Sequence, residues 1–408
     1  MIWPFMLIYA SGKLHLPLST VATLISINAG TGLLASFLAG TLANKVGRKV
    51  VMVFSLAMNG IAYFFLMRAE TYPHFFILMI LIGLSNPLYQ VGADAMLADI
   101  IPSEKRTNAY AINRIANNAA FAMGPAIGGF LATTSYNLAF YCATAGFITY
   151  SLLLFFLARE TLGKSPNYLN AEKVSERRFE LPKQGQISKV PAISHLRSRP
   201  DTNEHSKNNL GYGYVFRDKG YMAFVILISL GLIAPTMLWI LMPVYAKTNF
   251  GIPESLYGWI LTTNALMCVF IQYSVTQVTR RYKTLPVASV GMLVYAVGAG
   301  SVAIMSGFWG FWLSMVILTF GELTLVPTAS KYVADLAPAN LRGRYMSLYW
   351  LGWGLARTLA PLIGGFLNDN VFPRAIWIGA LLIGLTSTFG LYALNRLSKS
   401  QALLPARP

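Results

Sequence analysis

Two cysteines, four histidines and fifteen acidic residues are spread over 408 positions, and this scarcity excludes a good deal. Cys142 and Cys268 fall in separate apolar stretches without C-x-x-C spacing. They read as small apolar residues, not as a disulfide framework or a thiolate metal site. His15, His74, His195 and His205 form no HExxH or paired arrangement, so no metal site is expected. GxSxG, Walker A and GxGxxG patterns are all missing, which leaves no enzyme activity and no cofactor to assign. Charged residues make up only 12% of the chain, about half the share usual in soluble domains.

What the chain has in abundance is apolar surface: 55% of its residues are hydrophobic and its mean hydropathy is +0.53. A water-soluble core does not absorb that much, whereas a bilayer solvates it directly. Apolar segments of roughly 20 residues, the length that spans a bilayer, follow one another along the chain. They are 1–11 (short), 18–42, 49–68, 74–97, 107–133, 137–158, 219–246, 255–278, 285–305, 309–334, 343–367 and 373–394. The expected fold is an all-α integral membrane protein of two pseudo-symmetric six-helix bundles, 1–158 and 219–408, the second ending in a short tail. Segment 159–218, between them, is rich in Lys, Arg, Ser, Asn and Pro and has the composition of a loosely structured linker.

The bundles read as copies of one unit. Ala98-Asp99-x-x-Pro102-x-x-x-Arg106, followed by Pro125-x-Ile127-Gly128-Gly129-Phe130-Leu131, returns 236 positions later. There it reads Ala334-Asp335-x-x-Pro338-x-x-x-Arg342, then Pro361-x-Ile363-Gly364-Gly365-Phe366-Leu367. Ten of sixteen aligned positions are identical, where roughly one or two would match by chance. The same offset pairs Trp3 with Trp239, Tyr9 with Tyr245, Ser19 with Ser255 and Asn28 with Asn264. Residue 1 pairs with residue 237, yet the seventh apolar segment begins near Lys219, so the first helix reads as shortened. A signal peptide is the competing reading; no basic n-region or A-x-A site supports it.

The formal net charge of +17 would suit a nucleic-acid binder, but its placement argues otherwise. Setting the linker aside, loops and tail on the linker's side carry thirteen Lys and Arg, and loops on the opposite side carry four. That asymmetry predicts a cytoplasmic linker and C-terminus in a multi-pass protein of the cell membrane. The charge is then topological, with an attraction for anionic lipid. No nucleic-acid partner is expected, and the chain is read as a monomer.

The loop after the second apolar segment reads Gly40-x-Leu42-x-Asn44-Lys45-x-Gly47-Arg48-Lys49. With Gly124-Pro125-x-x-Gly128-Gly129 in the fifth segment, it resembles the major facilitator superfamily and, within it, the proton-coupled drug antiporters. The resemblance implies a twelve-helix transporter whose loop latches the two halves in one conformation, with Asp99 and Arg106 among the charges at that side. Asn44 stands where the family carries an aspartate, and Asp99, facing the same loops, is the candidate substitute. The glycines let helix backbones approach closely, and Pro125 permits a kink.

Ionisable groups inside apolar segments are costly and so are candidates for function. Asp94 and Arg114 fall at similar shallow depths on consecutive helices, and Glu322 and Arg357 fall near the midplane on another consecutive pair. Each pair reads either as a helix-stapling ion pair or as coupling machinery, with Glu322 taking and releasing a proton beside Arg357. Lys331, near a membrane edge, is expected to snorkel. Polar residues Asn28, Asn86, Gln90, Asn113, Asn117 and Asn264 are candidate cavity groups. Trp239, Tyr349, Trp350 and Trp353 are candidates for a flat apolar or cationic ligand.

The leading expectation is therefore a secondary transporter exporting hydrophobic, drug-like small molecules in exchange for protons. A sugar or metabolite symporter or uniporter of the same fold is one alternative. A scaffold or receptor acting through 159–218 is another.

Overall fold

Backbone donors and acceptors immersed in hydrocarbon have only each other as partners, and helices satisfy them within one segment. The chain, seen in a computed structural model that describes residues 2–162, 212–338 and 341–402, is helical nearly throughout that range. A 3-10 turn at Trp3–Phe5 leads into α1 (Met6–Leu14). Then come α2 (Leu18–Val46), α3 (Arg48–Arg68), α4 (Tyr72–Ile100), α5 (Ser103–Thr134) and α6 (Tyr136–Leu157). After the linker come α7 (Tyr212–Arg217), α8 (Lys219–Gly231), α9 (Ile233–Phe250), α10 (Glu254–Phe270) and α11 (Gln272–Thr279). The chain closes with α12 (Thr284–Ser301), α13 (Gly307–Leu336), α14 (Arg342–Asn370) and α15 (Ala375–Ala402).

Among the described residues, eight helical segments are long and apolar enough to cross a membrane alone, with α8 and α9 counted as one. The pair α10 and α11, bent by 55° at Ile271, makes a ninth. The sequence reading counted twelve, and the three that fall short have physical reasons. Helix α1 has nine residues. Helices α5 and α14, with 32 and 29 residues, are long enough but carry Asn113, Arg114 and Asn117, and Arg357, Asn368 and Asp369. Each also forms one side of a seam with the other copy. At the α10–α11 break, Gln272 Nε2 donates to the Leu323 carbonyl at 3.1 Å, so this polar residue supports a bend.

Within the first copy α4 packs on α2 and α3, and α3 packs on α6; within the second, α12 packs on α13 and α15, and α15 on α8 and α9. The copies meet along two seams, α2 with α14 and α5 with α10, and the first turn and α1 also pack on α9. The 236-residue offset carries α2 onto α10 and α5 onto α14, so the seams are counterparts of each other. The linker reading needs one correction: Tyr212–Arg217, inside 159–218, is helical and buries Val215 against the bundle. Residues 163–211 lie outside the described range.

Candidate functional site

Where α2 and α4 face α13 and α14, a cavity of about 490 Å³ opens, its wall including Asn28, Asn86, Glu322, Trp350, Trp353 and Arg357. Six candidates from sequence thus share one space. Asn28, 7% exposed, donates through Nδ2 to the Met79 carbonyl at 2.9 Å and staples α2 to α4. Glu322 is partly buried, and its Oε2 accepts from Asn264 Nδ2 at 2.9 Å. Asn264, itself 5% exposed, also donates to Thr319 Oγ1 at 2.9 Å, and that hydroxyl donates to the Met315 carbonyl at 2.7 Å. The carboxylate is therefore oriented by a fixed amide one layer behind the wall.

The expected Glu322–Arg357 ion pair is not formed. Among the described residues no carboxylate lies within the 4.0 Å of an ion pair from Arg357, which stands exposed in the cavity wall. Asn264 has taken the place next to the acid. Trp350 is 54% exposed, and its ring lies 6.5 Å from that of Trp353. The other aromatic candidates sit elsewhere: Tyr349 is buried at 2% exposure and Trp239 packs against the apolar core. Both are large and apolar enough to fill helix–helix gaps, which is where they go.

The shallow candidates also part company. Asp94 is exposed, and Gln90 Nε2 donates to its Oδ2 at 3.3 Å. The side chains of Arg114 and Arg106 lie outside the described residues. Asn113 and Asn117 are exposed on α5, outside the cavity wall. Lys331 is exposed on α13.

At the end of the molecule nearer the linker, Gly47 takes φ +114°, a value side-chain-bearing residues rarely adopt, between α2 and α3. Glu160, just past α6, sits on the α3 N-terminus and accepts from Arg48 N at 3.0 Å and Lys49 N at 3.1 Å. It also takes Thr161 N and Leu162 N, at 2.9 and 3.0 Å. Burial alone would raise the Glu160 carboxyl; these four backbone donors outweigh it and hold it below the usual glutamate value. Arg48 pairs with Asp99, the acid proposed to substitute for the missing aspartate. Asn44 and Lys45 stand exposed. In this structure the partners of Arg48 and Lys49 lie in the first half or, for Glu160, just past its end, so here the loop ties α3, α4 and the end of α6 together. A Cβ at Gly40 would meet nothing within 4 Å, so close packing at this glycine is not used here.

At the opposite end the halves clasp. Ser19 N, in the first turn of α2, donates to Asp369 Oδ2 of α14 at 2.7 Å. Its counterpart Ser255 N, in the first turn of α10, donates to Thr133 Oγ1 of α5 at 3.0 Å. Thr133 and Asp369 are themselves counterparts. Behind each clasp a glycine permits close approach: a Cβ at Gly365 would meet Ser19 Cα at 2.7 Å, and one at Gly129 would meet the Glu254 carbonyl. Pro125, against Gly258 of the same seam, is buried, as is Gly128, and Gly124 is partly buried. Thr262 Oγ1 donates to the Ala122 carbonyl at 2.7 Å, one turn from Pro125. Glu254, 3% exposed, pairs with Lys247 and accepts from Tyr136 OH of the other half.

Two like halves around a polar cavity, clasped at one end, is an architecture that can be tested against known families. The sequence profile of the Major Facilitator Superfamily matches residues 1–237 and 222–407. The chain belongs to that superfamily. As a major facilitator it is a multi-pass membrane transporter of small molecules, and its relatives are transporters, not enzymes. It is 24% identical over 401 residues to a Na⁺, Li⁺, K⁺/H⁺ antiporter of Planococcus maritimus, covering 93% of this chain and 86% of that one. Multidrug resistance protein 1 of Bacillus subtilis (strain 168) is 23% identical over 360 residues, covering 88% and 82%. Among solved structures, the nucleoside transporter NupG superposes with a TM-score of 0.74 at 12% identity, over 96% of each chain.

Sequence reasoning on this facilitator missed Glu160, Thr319 and the clasp acceptors Thr133 and Asp369, although it had paired Ser19 with Ser255. The repeat offset held a signal for two of them, since it pairs Thr133 of one seam with Asp369 of its counterpart.

Proposed function

We propose that this transporter exchanges an inward-moving proton for an outgoing hydrophobic, drug-like compound by alternating access. Segments 1–158 and 219–408 move as two bodies about the α2–α14 and α5–α10 seams. The observation that carries this reading is Glu322, a carboxylate held by Asn264 in the wall of a cavity between the halves. A group there changes charge in full view of the cargo, and protonation and cargo binding favour different states. The positive-inside asymmetry puts the linker and C-terminus in the cytoplasm of a bacterial cell. With the far end clasped and Gly40 unpacked, the molecule is then in an inward-facing state. An antiporter and a multidrug resistance protein among its relatives support the exchange.

Everted membrane vesicles carrying the protein should accumulate a lipophilic fluorescent dye when energised, and release it when a protonophore collapses the gradient. Uptake indifferent to the protonophore would end the antiport reading. Removing 165–210 should leave uptake intact, whereas a scaffold acting through the linker would lose its function.

A further inference from the structure

The cavity holds two opposite charges that are not spent on each other. Glu322 Oε2 is taken by Asn264, while Oε1 accepts no hydrogen bond from a described residue. Arg357, in the same wall, has no carboxylate partner among them and donates no hydrogen bond to them. Arginine stays protonated under all ordinary conditions, and its planar fork is shaped for a carboxylate or similar oxyanion. Beside the two groups stand Trp350 and Trp353, with ring planes 34° apart. Asn28 and Asn86 complete the polar lining on the first-copy side.

We propose that the cavity is a site for aromatic zwitterions, with Arg357 receiving the anionic end of the cargo, Glu322 its cationic end and Trp350 and Trp353 its ring system. This deepens the transport reading above and rests on it for the cargo's movement. The physical case is the cost of closing the cavity. When the halves swing, whatever lies between them leaves water, and an unpaired charge left there is heavily penalised. A purely cationic cargo satisfies Glu322 and strands Arg357; a purely anionic cargo does the reverse. A zwitterion pairs both. It also supplies the competition that exchange needs, since a cargo ammonium and a proton both demand the Glu322 carboxylate. Arg357, untouched by the proton, supplies charge selectivity instead of coupling.

The test uses the purified full-length protein and three probes built on one skeleton. Naphthylalanine carries both charges, 3-naphthylpropionate lacks the ammonium and 2-naphthylethylamine lacks the carboxylate. By calorimetry the zwitterion should bind about tenfold more tightly than either partner, the usual worth of one charge-assisted hydrogen bond. Arg357→Gln should reduce naphthylalanine to the affinity of the amine, Arg357→Lys should keep part of the difference, and Glu322→Gln should reduce it to the affinity of the propionate. The wild-type ranking stands without any variant, so a misfolded mutant does not rescue or sink the idea. Equal affinities for the three probes, a preference for the amine, no binding by any of them, or an unchanged ranking in Arg357→Gln would each overturn the assignment. Proteoliposomes loaded with naphthylalanine and given a pH gradient separate the two claims. Binding with the expected ranking but no flux refutes transport alone, and proton-driven dye flux without the ranking refutes the zwitterion site alone.

Discussion

The two copies build the same wall with different chemistry. In the first, Asn28 donates straight to the Met79 carbonyl, and Gly83 lets α2 press against α4. In the second, Asn264 reaches Thr319 and Glu322, and the Thr319 hydroxyl continues to the Met315 carbonyl. Under the repeat Met315 is Met79, Thr319 is Gly83 and Glu322 is Asn86. The same asparagine joins two helices in both copies. In the second, a hydroxyl lengthens the joint and a second amide proton is given to a carboxylate. Duplication supplied the frame. The asymmetry laid over it supplied a group that can change charge.

The severest way to break this comparison is to move the acid. Proton-driven exchange, one for one, supports about a tenfold cargo gradient per pH unit. Glu322→Gln should remove that accumulation in proteoliposomes while counterflow down a gradient continues. Adding Asn86→Glu should not restore it, because the new carboxylate would stand on α4, across the cavity from the Asn264–Thr319 pair that orients Glu322. Recovery in the double variant would show the two walls to be interchangeable.

Next in size is the exchange of the joint itself. A side chain at Gly83 would run into Thr31 Oγ1 and the Asn28 carbonyl, so Gly83→Thr overpacks the α2–α4 contact. A loss of about 1–3 kcal/mol is expected, read as a lower thermal midpoint in detergent. The converse, Thr319→Val, keeps the shape but leaves Asn264 a single acceptor, at a cost of about 1 kcal/mol. If Gly83→Thr is neutral, the close approach of α2 and α4 is not what holds the first wall.

The clasps repeat the contrast on a smaller scale. Ser19 N meets a carboxylate at 2.7 Å, while its counterpart Ser255 N meets a hydroxyl at 3.0 Å. Bonds to a charged acceptor are roughly twice as strong as neutral ones. Asp369→Leu should therefore loosen the closed end more than Thr133→Val does. A loss near 1.4 kcal/mol shifts the conformational ratio about tenfold. Spin labels at exposed Leu16 and Val371 would report it as a longer distance distribution. An equal response from the two variants would mean that glycine packing behind the clasps carries the seam.

These contrasts also mark what the sequence could show. Helix positions were legible because 20-residue apolar runs and the 236-residue echo are long signals that no local detail erases. Glu322, Arg357, Asn28 and Asn86 were legible because a charge or amide inside such a run has few structural uses. The pairing of Glu322 was not, since depth along a helix fixes height and leaves rotation open. Arg357 was within range by height, and only packing put Asn264 beside the acid in its place. Tyr349 and Trp239 failed for the same reason, an aromatic side chain being as useful in a gap as in a cavity. Glu160 was invisible because its role depends on where α6 ends relative to the start of α3, a distance no periodicity encodes.

Glu160 gives the smallest effect and tests the loop that ties the first half together. Its carboxylate caps α3 through Arg48 N and Lys49 N, which the positive end of the helix dipole favours. Because those bonds hold its pKa below the ordinary glutamate value, the cap's contribution is fully present above that ordinary value and is lost as pH falls through the lowered one. The thermal midpoint should therefore decline on acidification, and Glu160→Gln should lower the midpoint at neutral pH and flatten that part of the decline. The site is partly open to solvent, so the difference should be modest, of the order of a single cap. The second copy has only Arg280, Arg281 and Lys283 at the corresponding loop, and among the described residues no carboxylate caps α12, whose N-cap residue is Lys283. A decline of equal slope in wild type and Glu160→Gln would assign the acid sensitivity to the Arg48–Asp99 pair instead, and Asp99→Asn would then be the variant that flattens it.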